Sequence, residues 1–523
     1  MKNKFIYLSA LALVFAGCEP EFENELGNGS YSAGDADFSS YVAVGNSLTA
    51  GYMDGTVSRI EQGYSFPNIM AQQFATVGGG EFTQPSFEDD VNNYGGLLLG
   101  GNQISSTRLI IDASAGGPEP ITGVPTVEVS NLQATAYNNM GVPGAKSFHL
   151  LAPGYGNVAG VATGQANPYY VRHATSPTAT VLGDAMTKAP TFFTNWIGNN
   201  DVLSFATSGG VGENQLGNLD PSTYGANDIT DPTVFAATYS QIITTLTSSG
   251  AKGVVATVPD VTSIPFFTTV PYDPITASLL GDGDEAVGKA TIQALNAQLY
   301  GPMVQALGAF GAPTRMSILS ESGDNPLLIV DETLTDLSTE LTLALTAAGF
   351  PEAQAELLGT VFGKVRQTTA SDLVLLSTRS VIGTAPAGIP APFDRLGITY
   401  PLQDEHVLTV SEVSMLAEAT AAFNQAIIGI AGQSDLAVAD MNAIMAQLTI
   451  GLETADGQVY NADYFSTATI STVLFSLDGV HPNARGYAII ANEILKVINN
   501  HYNAKLPLVN AGGYPSATVL ATN

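Results

Sequence analysis

The sequence predicts an α/β protein with a mostly parallel central sheet, and three observations support this fold class. Apolar runs at 41–44, 191–197 and 253–258 have the length of buried strands, and the third ends at Pro259. The segment 232–248, between the last two runs, has apolar residues at helical spacing. Strands that alternate with helices indicate parallel units with helices on both faces, which is a three-layer α/β/α arrangement.

The order of the predicted elements divides the chain into a core and an insertion. The first part of the core is predicted over residues 39–264, where strands and helices alternate regularly. The second part is predicted over residues 403–502, where helices at 410–430 and 442–448 flank a strand at 436–439. A closing helix completes this second part, and the core is therefore discontinuous in sequence.

Between the two parts the alternation loosens over residues 265–402, which we interpret as an inserted, mainly helical subdomain. Helices are predicted at 285–306 and 331–363, the second broken at Gly349-Phe350-Pro351, and an extra strand is predicted at 373–382. We expect this insertion to shape the substrate pocket. Residues 503–523 form a short C-terminal tail containing Gly and Pro, for which no role is predicted.

The N-terminal residues have the pattern of an exported lipoprotein. Residues 1–17 combine a positively charged start with an apolar stretch too short to span a bilayer, as in a signal peptide. The stretch leads into Phe-Ala-Gly-Cys, which resembles a bacterial lipobox and marks Cys18, the sole cysteine, as an acylation site. A buried free thiol beside an ordinary cleavage site is the simpler alternative.

Residues 18–38 are rich in Gly, Ser, Asn and Asp, and we expect a flexible tether from the lipid anchor. Their first part, 19–25, is acidic. Similar acidic stretches after an acylated Cys accompany export of lipoproteins to the cell surface in some Gram-negative bacteria. We therefore expect a protein that is lipid-anchored to the outer membrane of such a bacterium and exposed on its surface.

The composition limits the class of partner. The 523 residues include 17 Lys and Arg against 47 Asp and Glu, which gives a formal charge of −30. Such a chain repels polyanions, which argues against binding nucleic acid or an anionic membrane through a basic surface. Only 12% of the residues are charged and 54 are Gly. This balance suits an extracellular setting but indicates no particular substrate.

Two distant motifs carry candidate catalytic chemistry. Ser47, in Gly-Asn-Ser-Leu, follows the first predicted strand and precedes a turn, so its hydroxyl is expected at the carboxyl end of that strand. Asp478 precedes His481 by three residues in Asp-Gly-Val-His. At that spacing the carboxylate can reach back to the imidazole, fix its tautomer and leave the other ring nitrogen to accept a serine proton. This pattern is typical of a hydrolase.

Two intermediate loops offer hydrogen-bond donors for an oxyanion. Gly144 lies in Asn-Met-Gly-Val-Pro-Gly-Ala, where glycines allow a backbone N–H to approach a substrate closely. Asn200 lies in Gly-Asn-Asn-Asp, directly after the apolar run 191–197, and has a side-chain amide donor. Both loops follow predicted strand or turn segments of the core.

In this order the four blocks resemble those of the SGNH family of GDSL-type esterases and lipases, whose Ser, Gly, GxND and DxxH blocks are all matched. The resemblance implies a flavodoxin-like core and ester hydrolysis without a cofactor. It also implies that Ser47 is the nucleophile, His481 its base and Asp478 the residue that orients the base. Ser47, Gly144 and Asn200 would then supply the oxyanion donors.

Each block alone has a simpler interpretation. Asp478 could cap a helix that begins near Asn483, and the Gly-Asn-Ser-Leu and Gly-Asn-Asn-Asp segments are common turns. Their conjunction in the family's order favours the hydrolase. The chain departs from the family at Asn46, where Asp is usual, and we expect altered hydrogen bonding of that loop with the chemistry retained.

The motifs do not define the substrate, because this core serves lipases, thioesterases, arylesterases and carbohydrate deacetylases. We favour short-chain or carbohydrate O-acetyl esters, since an exposed lipoprotein meets polymers outside the cell. Lipid esters, cleaved by a lipase or lysophospholipase activity, are the enzymatic alternative. A catalytically idle surface protein that binds glycans or mediates adhesion is the alternative from a different class.

The sequence predicts no metal site. Residues 281–285, Gly-Asp-Gly-Asp-Glu, lack the spacing of a twelve-residue calcium loop and are more simply a solvated turn. His149, His173, His406 and His501 are too scattered to predict a zinc site. His149 follows the Gly block closely, but a packing role is simpler than a place in the cleft.

The lipid anchor can be tested directly. The mature protein should partition into detergent because acyl chains are apolar, and Cys18→Ser should move it to the aqueous phase. Detergent phase separation of cell extracts, with mass spectrometry of the N-terminal peptide, measures both. A fully water-soluble wild-type protein that begins a few residues away from position 18 would contradict the assignment.

Overall fold

Five parallel strands form the central sheet of the computed structural model, which describes residues 30–454, 457–466 and 468–523. The strands are β1 (Tyr41–Gly45), β2 (Asn139–Gly141), β3 (Phe192–Trp196), β4 (Lys252–Ala256) and β5 (Ala437–Ala439). Their order across the sheet is β2-β1-β3-β4-β5, and each neighbouring pair is parallel. The predicted α/β class with a mostly parallel central sheet is therefore confirmed.

The strand sequences explain why this sheet is buried on both faces. All five residues of β1 and of β3 are buried. β1 is an apolar run, whereas β3 includes Thr194 and Asn195; burial of every residue along a strand is typical of parallel strands covered on both sides. Ala43 of β1 lies opposite Asn139 of β2 and Thr194 of β3. The loops that follow these three strands therefore leave the same edge of the sheet, where open α/β sheets bind ligands at the point of strand-order reversal.

Helices connect and cover the strands. The helices are α1 (Ser47–Ala50), α2 (Phe66–Ala75), α3 (Pro168–Val171), α4 (Val181–Met186), α5 (Asn200–Thr207), α6 (Pro232–Thr247), α7 (Pro265–Thr268), α8 (Ala277–Leu280), α9 (Glu285–Leu295), α10 (Gly301–Ala309), α11 (Ser338–Ala347), α12 (Glu352–Phe362), α13 (Val410–Gln433), α14 (Met441–Ile450) and α15 (Ala484–His501). A π-helical turn, Asn296–Tyr300, joins α9 to α10.

Short strands form small ladders outside the central sheet. The pairs are Leu97–Leu99 with Asn102–Ser105, Leu109–Asp112 with Gly117–Pro120 and with Val519–Leu520, Leu328–Val330 with Val365–Gln367, Leu373–Val374 with Val407–Leu408, and Leu452–Glu453 with Val459–Tyr460.

Helix α13 is long and apolar enough to cross a membrane, judged by length and composition. Its buried residues, which include Leu416, Phe423 and Ile427, belong to the main hydrophobic core around the sheet. Phe423 stacks on Phe235 of α6 with ring centroids 4.2 Å apart. We therefore assign α13 to the core of the fold.

A second hydrophobic core lies within the region assigned to the insertion. Its buried residues all come from positions 270–407, and α11 and α12 contribute Leu341, Leu345, Leu358 and Phe362. This cluster is separate from the main core, so these residues pack chiefly against one another. The segment 265–402 thus has a hydrophobic centre of its own.

A cluster of charged side chains joins distant segments of this region and lies where one predicted helix was expected to begin. The guanidinium of Arg366 donates to Asp331 at 2.6 Å and to both oxygens of Asp372 at 2.7 Å. Asp331 also accepts from the backbone and hydroxyl of Thr333, which holds the chain in a turn. The helix predicted over 331–363 therefore begins only at Ser338. Its predicted break at 349–351 is confirmed, since α11 ends at Ala347 and α12 begins at Glu352.

The extra strand predicted at 373–382 is also mostly wrong. Only Leu373–Val374 pairs, with Val407–Leu408. From Leu376 the chain forms a 3-10 turn, Leu376–Ser380, in which the Thr378 hydroxyl donates to the carbonyl of His406 at 2.8 Å. This hydrogen bond directs the chain into the turn and away from a longer ladder.

The predicted tether is packed where the structure describes it. In residues 30–38, Phe38 is 2% exposed and stacks on Phe74 with ring centroids 4.1 Å apart. The backbone N–H of Asp35 donates to the carbonyl of Tyr502 at 2.7 Å. The expectation of a flexible tether is therefore wrong for this part, because the residues after α15 offer it partners. The signal peptide, Cys18 and the rest of the tether lie outside the described residues.

The C-terminal tail, for which no role was predicted, is part of the fold. Leu506 and Ala511 are buried in the main core. Val519–Leu520 pairs with Leu109–Asp112, which therefore has neighbours on both sides. Residues 503–523 thus pack against the main core and pair with the strand Leu109–Asp112.

Candidate active site

Ser47, His481 and Asp478 lie in one hydrogen-bonded chain. The Nε2 atom of His481 is 2.9 Å from the Oγ atom of Ser47, and its Nδ1 atom is 2.9 Å from the Oδ2 atom of Asp478. A carboxylate at Nδ1 favours the tautomer with a hydrogen there, which leaves Nε2 as the acceptor of the serine proton. The residues singled out from two distant motifs are thus brought together in the order that proton transfer requires.

Asn46 positions the serine. Its Oδ1 atom accepts from the N–H of Leu48 at 3.1 Å and caps α1, and its Nδ2 atom donates to Oδ1 of Asn199 at 3.1 Å. An Asp at this position could make the first contact but has no hydrogen to donate in the second. Asn46 therefore links the serine loop to the loop that follows β3. Ser47 itself is 6% exposed.

Asp478 is held by five donors. Its Oδ1 atom accepts from the N–H of Val480, the N–H of His481 and the hydroxyl of Ser476, each at 2.9 Å. Its Oδ2 atom accepts from Nδ1 of His481 at 2.9 Å and from the N–H of Gly55 at 3.1 Å. Burial alone would raise the pKa of Asp478, but the His481 charge and these hydrogen bonds outweigh it and lower the pKa below its ordinary value.

Sequence reasoning identified only the His481 imidazole among these five donors. Ser476 lies two residues before Asp478, and its hydroxyl also accepts from the N–H of Asp54 at 3.0 Å. A serine two residues before Asp478 is a sequence signal that could have predicted this donor. Gly55 contributes only its backbone N–H, for which side-chain patterns give no signal.

The Gly and Asn loops are tied to each other. Nδ2 of Asn200 donates to the carbonyl of Ala145 at 2.9 Å. The carboxylate of Asp201 accepts from the N–H of Ser147 at 2.8 Å and from its hydroxyl at 2.7 Å. Nδ2 of Asn167 donates to the carbonyl of Pro143 at 2.7 Å. These bonds fix the two predicted donor loops relative to each other.

Three candidate oxyanion donors face one cavity. Gly144 has φ of +80°, a left-handed conformation that suits glycine. Neither its N–H nor that of Ser47 is bonded to another described residue. The amide of Asn200 donates one hydrogen to Ala145, which leaves its second hydrogen available. Ser47, Gly144 and Asn200 all line a cavity together with His481.

Two cavities meet at Ser47, and both are also lined by Asn200, Leu203 and His481. The first, which we call the apolar cavity, holds about 870 Å³ of space including its opening to solvent, and aliphatic and Met side chains of α14, α15 and neighbouring loops line it. The second, which we call the wide cavity, holds about 960 Å³ on the same basis. Its lining includes Tyr52, Tyr169 and Ser204.

An acidic pair lies behind the Asp478 loop. Oδ1 of Asp54 accepts from the N–H of Leu477 at 2.8 Å, and Glu61 accepts from the Ser58 hydroxyl at 2.7 Å and lies 3.4 Å from Arg108. Burial, and then repulsion from Glu61, raise the pKa of Asp54 well above its ordinary value. Burial also raises the pKa of Glu61 to about 7, although Arg108 and Ser58 oppose the shift and Asp90 and Asp478 add to it.

The remaining candidate residues have structural roles. His149 stacks on Tyr155 with ring centroids 4.5 Å apart, and its Nδ1 atom accepts from the N–H of Lys146 at 3.0 Å. It lines neither the apolar nor the wide cavity. Trp196 belongs to the main core and also contributes to the wall of the apolar cavity.

No group of three or more His, Cys, Asp or Glu residues that could hold a metal occurs in the part of the chain that the structure describes. Within residues 281–285, Asp284 caps α9 by accepting from the N–H of Ala286 at 2.9 Å. That carboxylate therefore has a local structural use. The described histidines are not gathered into one site.

Comparison of the chain with protein-family models, with curated proteins and with solved structures gives no match. The functional assignment therefore rests on the residues of this chain and on their geometry.

Glu61→Gln should change the pH dependence of stability. Because the pKa of Glu61 is raised from 4.5 to about 7 in the folded state, its proton stabilises the fold below the unfolded value, and this stabilisation is lost as the pH rises to about 7. The Gln variant lacks this titration. Its free energy of unfolding relative to wild type should therefore increase across that range, by on the order of 1–3 kcal/mol.

Denaturant titrations of both proteins at about pH 5 and about pH 8 measure this change, since the two values bracket most of the window. A difference between the proteins that is the same at both pH values would show that Glu61 is charged in the folded protein throughout.

Proposed function

We propose that the protein is a serine ester hydrolase of the SGNH type, with a three-layer α/β/α core, that acts through an acyl-enzyme. One observation carries the proposal. The 2.9 Å contacts that join Ser47, His481 and Asp478 end at a cavity that the candidate oxyanion donors Gly144 and Asn200 also line. A nucleophile, a base, an orienting acid and an oxyanion site are the parts that acyl transfer needs.

The first half of the reaction forms the acyl-enzyme. Nε2 of His481 accepts the proton of Ser47 as the serine oxygen attacks the ester carbonyl carbon. The carbonyl oxygen becomes an oxyanion, which accepts hydrogen bonds from the N–H groups of Ser47 and Gly144 and from the amide of Asn200. The imidazolium then donates its proton to the leaving alkoxide, and the alcohol departs as the C–O bond breaks.

The second half releases the acid. His481 accepts a proton from water, whose oxygen attacks the acyl-enzyme, and the same donors stabilise the second oxyanion. The proton returns to Ser47 as the acyl bond breaks. Every step uses side chains and backbone groups of the chain itself, and the proposal requires no cofactor.

Asp478 supports this cycle because it is already ionised before the imidazolium of His481 forms. Its lowered pKa keeps it ionised while His481 alternates between neutral and protonated forms. The donors Ser476, Gly55 and Val480 hold the carboxylate in place. Little reorganisation is then needed when the imidazolium forms, which favours catalysis.

The same geometry weighs against a catalytically idle binding protein. Binding alone does not require a serine hydroxyl within hydrogen-bonding distance of a histidine that a carboxylate orients. The location remains part of the proposal, since Cys18 and the signal peptide lie outside the described residues. We propose an outer-membrane lipoprotein whose partners are an ester substrate and the membrane that holds its anchor. The acidic composition speaks against a nucleic-acid partner.

Ser47→Ala should abolish ester hydrolysis and covalent labelling by a fluorophosphonate, because it removes the hydroxyl that lies 2.9 Å from Nε2 of His481. The side chain is small, so the variant should keep the melting temperature of wild type. Ser249→Ala, which changes an exposed serine after α6, is the matched control and should be labelled normally. Hydrolysis by purified Ser47→Ala above the uncatalysed rate would refute the assignment.

Asn200→Ala should lower kcat by roughly 10²–10³-fold with a smaller effect on KM, because the donor acts on charge that develops in the transition state. Asn200→Asp preserves the size of the side chain but removes the N–H donor, and it should lose activity as well. Steady-state kinetics of both variants make the comparison. Wild-type turnover by the Asp variant would mean that Asn200 only fills space.

A further inference from the structure

We propose that the apolar cavity binds the acyl chain of the substrate, so that the enzyme prefers fatty acyl esters to acetyl esters. The inference rests on the proposed ester hydrolysis at Ser47 and defines its substrate class. It favours the lipid alternative over the O-acetyl esters that the sequence alone suggested.

The position of the cavities supports this assignment. An ester carbonyl carbon has two substituents, the acyl chain and the alkoxy group. When that carbon lies at the Ser47 hydroxyl, the two substituents must leave the reaction centre in different directions. The apolar and wide cavities both begin at Ser47 and His481. One cavity is therefore available for each half of the ester.

The chemistry of the walls decides which half enters which cavity. No Asp, Glu, Lys or Arg side chain among the described residues lines the apolar cavity, and its polar groups are those of Ser47, Asn199, Asn200 and His481. A sugar hydroxyl placed deep in this cavity would lose its hydrogen bonds to water without replacement. A methylene chain would instead gain favourable free energy with each CH2 group that it buries.

Helix α14 forms one wall of the apolar cavity. Met441, Ile444, Met445 and Leu448 line it, at the spacing of one helical face. The other face of the helix is exposed and includes Ala443 and Ala446. Methionine side chains are flexible and adapt to apolar ligands of different shape. This wall therefore suits chains of several lengths.

The wide cavity suits the alcohol half. Tyr52, Tyr169, Ser204 and Thr207 bring hydroxyl-bearing side chains to its lining. The hydroxyls of Tyr52, Ser204 and Thr207 each donate to a backbone carbonyl, so they are available as acceptors for the hydroxyl groups of a glycerol or sugar unit. The apolar side chains beside Ser47 are thus left to the acyl portion.

The first test uses two isomeric esters. Ethyl octanoate and octyl acetate have the same composition and differ only in whether the long chain is on the acyl or the alcohol side. We expect kcat/KM for ethyl octanoate to exceed that for octyl acetate by at least about ten-fold, since single methylenes in an apolar pocket change this ratio strongly. Equal values, or a preference for octyl acetate, would overturn the inference.

A chain-length series with one leaving group complements this test. For p-nitrophenyl acetate, butyrate, octanoate and dodecanoate, kcat/KM should rise from acetate to octanoate by at least about ten-fold. A flat series, or a maximum at acetate, would also overturn the inference while leaving the hydrolase intact.

Variants of α14 locate the site. Met445→Trp narrows the apolar cavity and should lower the octanoate-to-acetate ratio of kcat/KM by about ten-fold or more. Ala446→Trp places the same side chain on the exposed face of the helix and should leave that ratio unchanged. Met445→Ala widens the cavity and should shift the preferred chain towards dodecanoate, which provides a second test if the Trp variant does not fold. Ratios that are unaffected in both Met445 variants would exclude this cavity as the acyl site.

The two proposals fail in different ways. Fluorophosphonate labelling of Ser47 together with hydrolysis of esters at one rate for all chain lengths would overturn only the acyl-chain inference. Absence of both labelling and hydrolysis would overturn the hydrolase, and the acyl-chain inference with it.

Discussion

The Asp478 carboxylate joins two parts of the core that are distant in sequence. It accepts from Gly55, shortly after the first strand and serine, and from Ser476 and His481 in the last loop before α15. A second carboxylate strengthens the same junction, since Asp54 accepts from the N–H of Leu477. These bonds hold the segment after Ser47 against the loop of His481, whose Nε2 atom lies 2.9 Å from the Ser47 Oγ atom.

Three carboxylates lie near this junction, and their pKa values are shifted in different directions. Asp478 has enough donors to remain charged, and its pKa is lowered. Asp54 and Glu61 are buried nearby with fewer compensating partners, and their pKa values are raised. A buried charge without sufficient donors is costly, so proton uptake relieves the pair. Asp478 must stay ionised for the proposed chemistry, and it accepts five hydrogen bonds from the surrounding loops.

Local sequence patterns predicted the parts of the fold that depend on local interactions. The strand expected at 41–44 is Tyr41–Gly45, and the helix expected at 232–248 is Pro232–Thr247. Asp478 and His481 could be found from their three-residue spacing, whereas the other residues singled out around the site each follow a strand, and parallel strands end at one edge of the sheet. Ser47, Gly144 and Asn200 follow β1, β2 and β3, the three strands that lie side by side.

Features that depend on distant partners were not predictable in this way. Residues 30–38 read as a polar tether, yet Phe38 packs on Phe74 and Asp35 bonds to Tyr502. Asp331, which forms the turn before α11 with Thr333, is also held by Arg366, which lies far along the chain. Helical spacing reports that one face of a segment is apolar, but it does not report what covers that face.

The substrate pocket shows this limit most clearly. The insertion was expected to shape it, but no residue of 265–402 lines the apolar cavity, and Phe266 is the insertion's contribution to the wide cavity. The N–H of Phe266 donates to the carbonyl of Gly479, inside the Asp478–His481 loop, at 2.9 Å. The core elements α14 and α15 therefore define the acyl side of the proposed substrate, while the insertion borders the alcohol side. In the proposed assignment, selection for the two halves of an ester lies in different segments of the chain, and the Phe266–Gly479 hydrogen bond joins the insertion to the loop that carries Asp478 and His481.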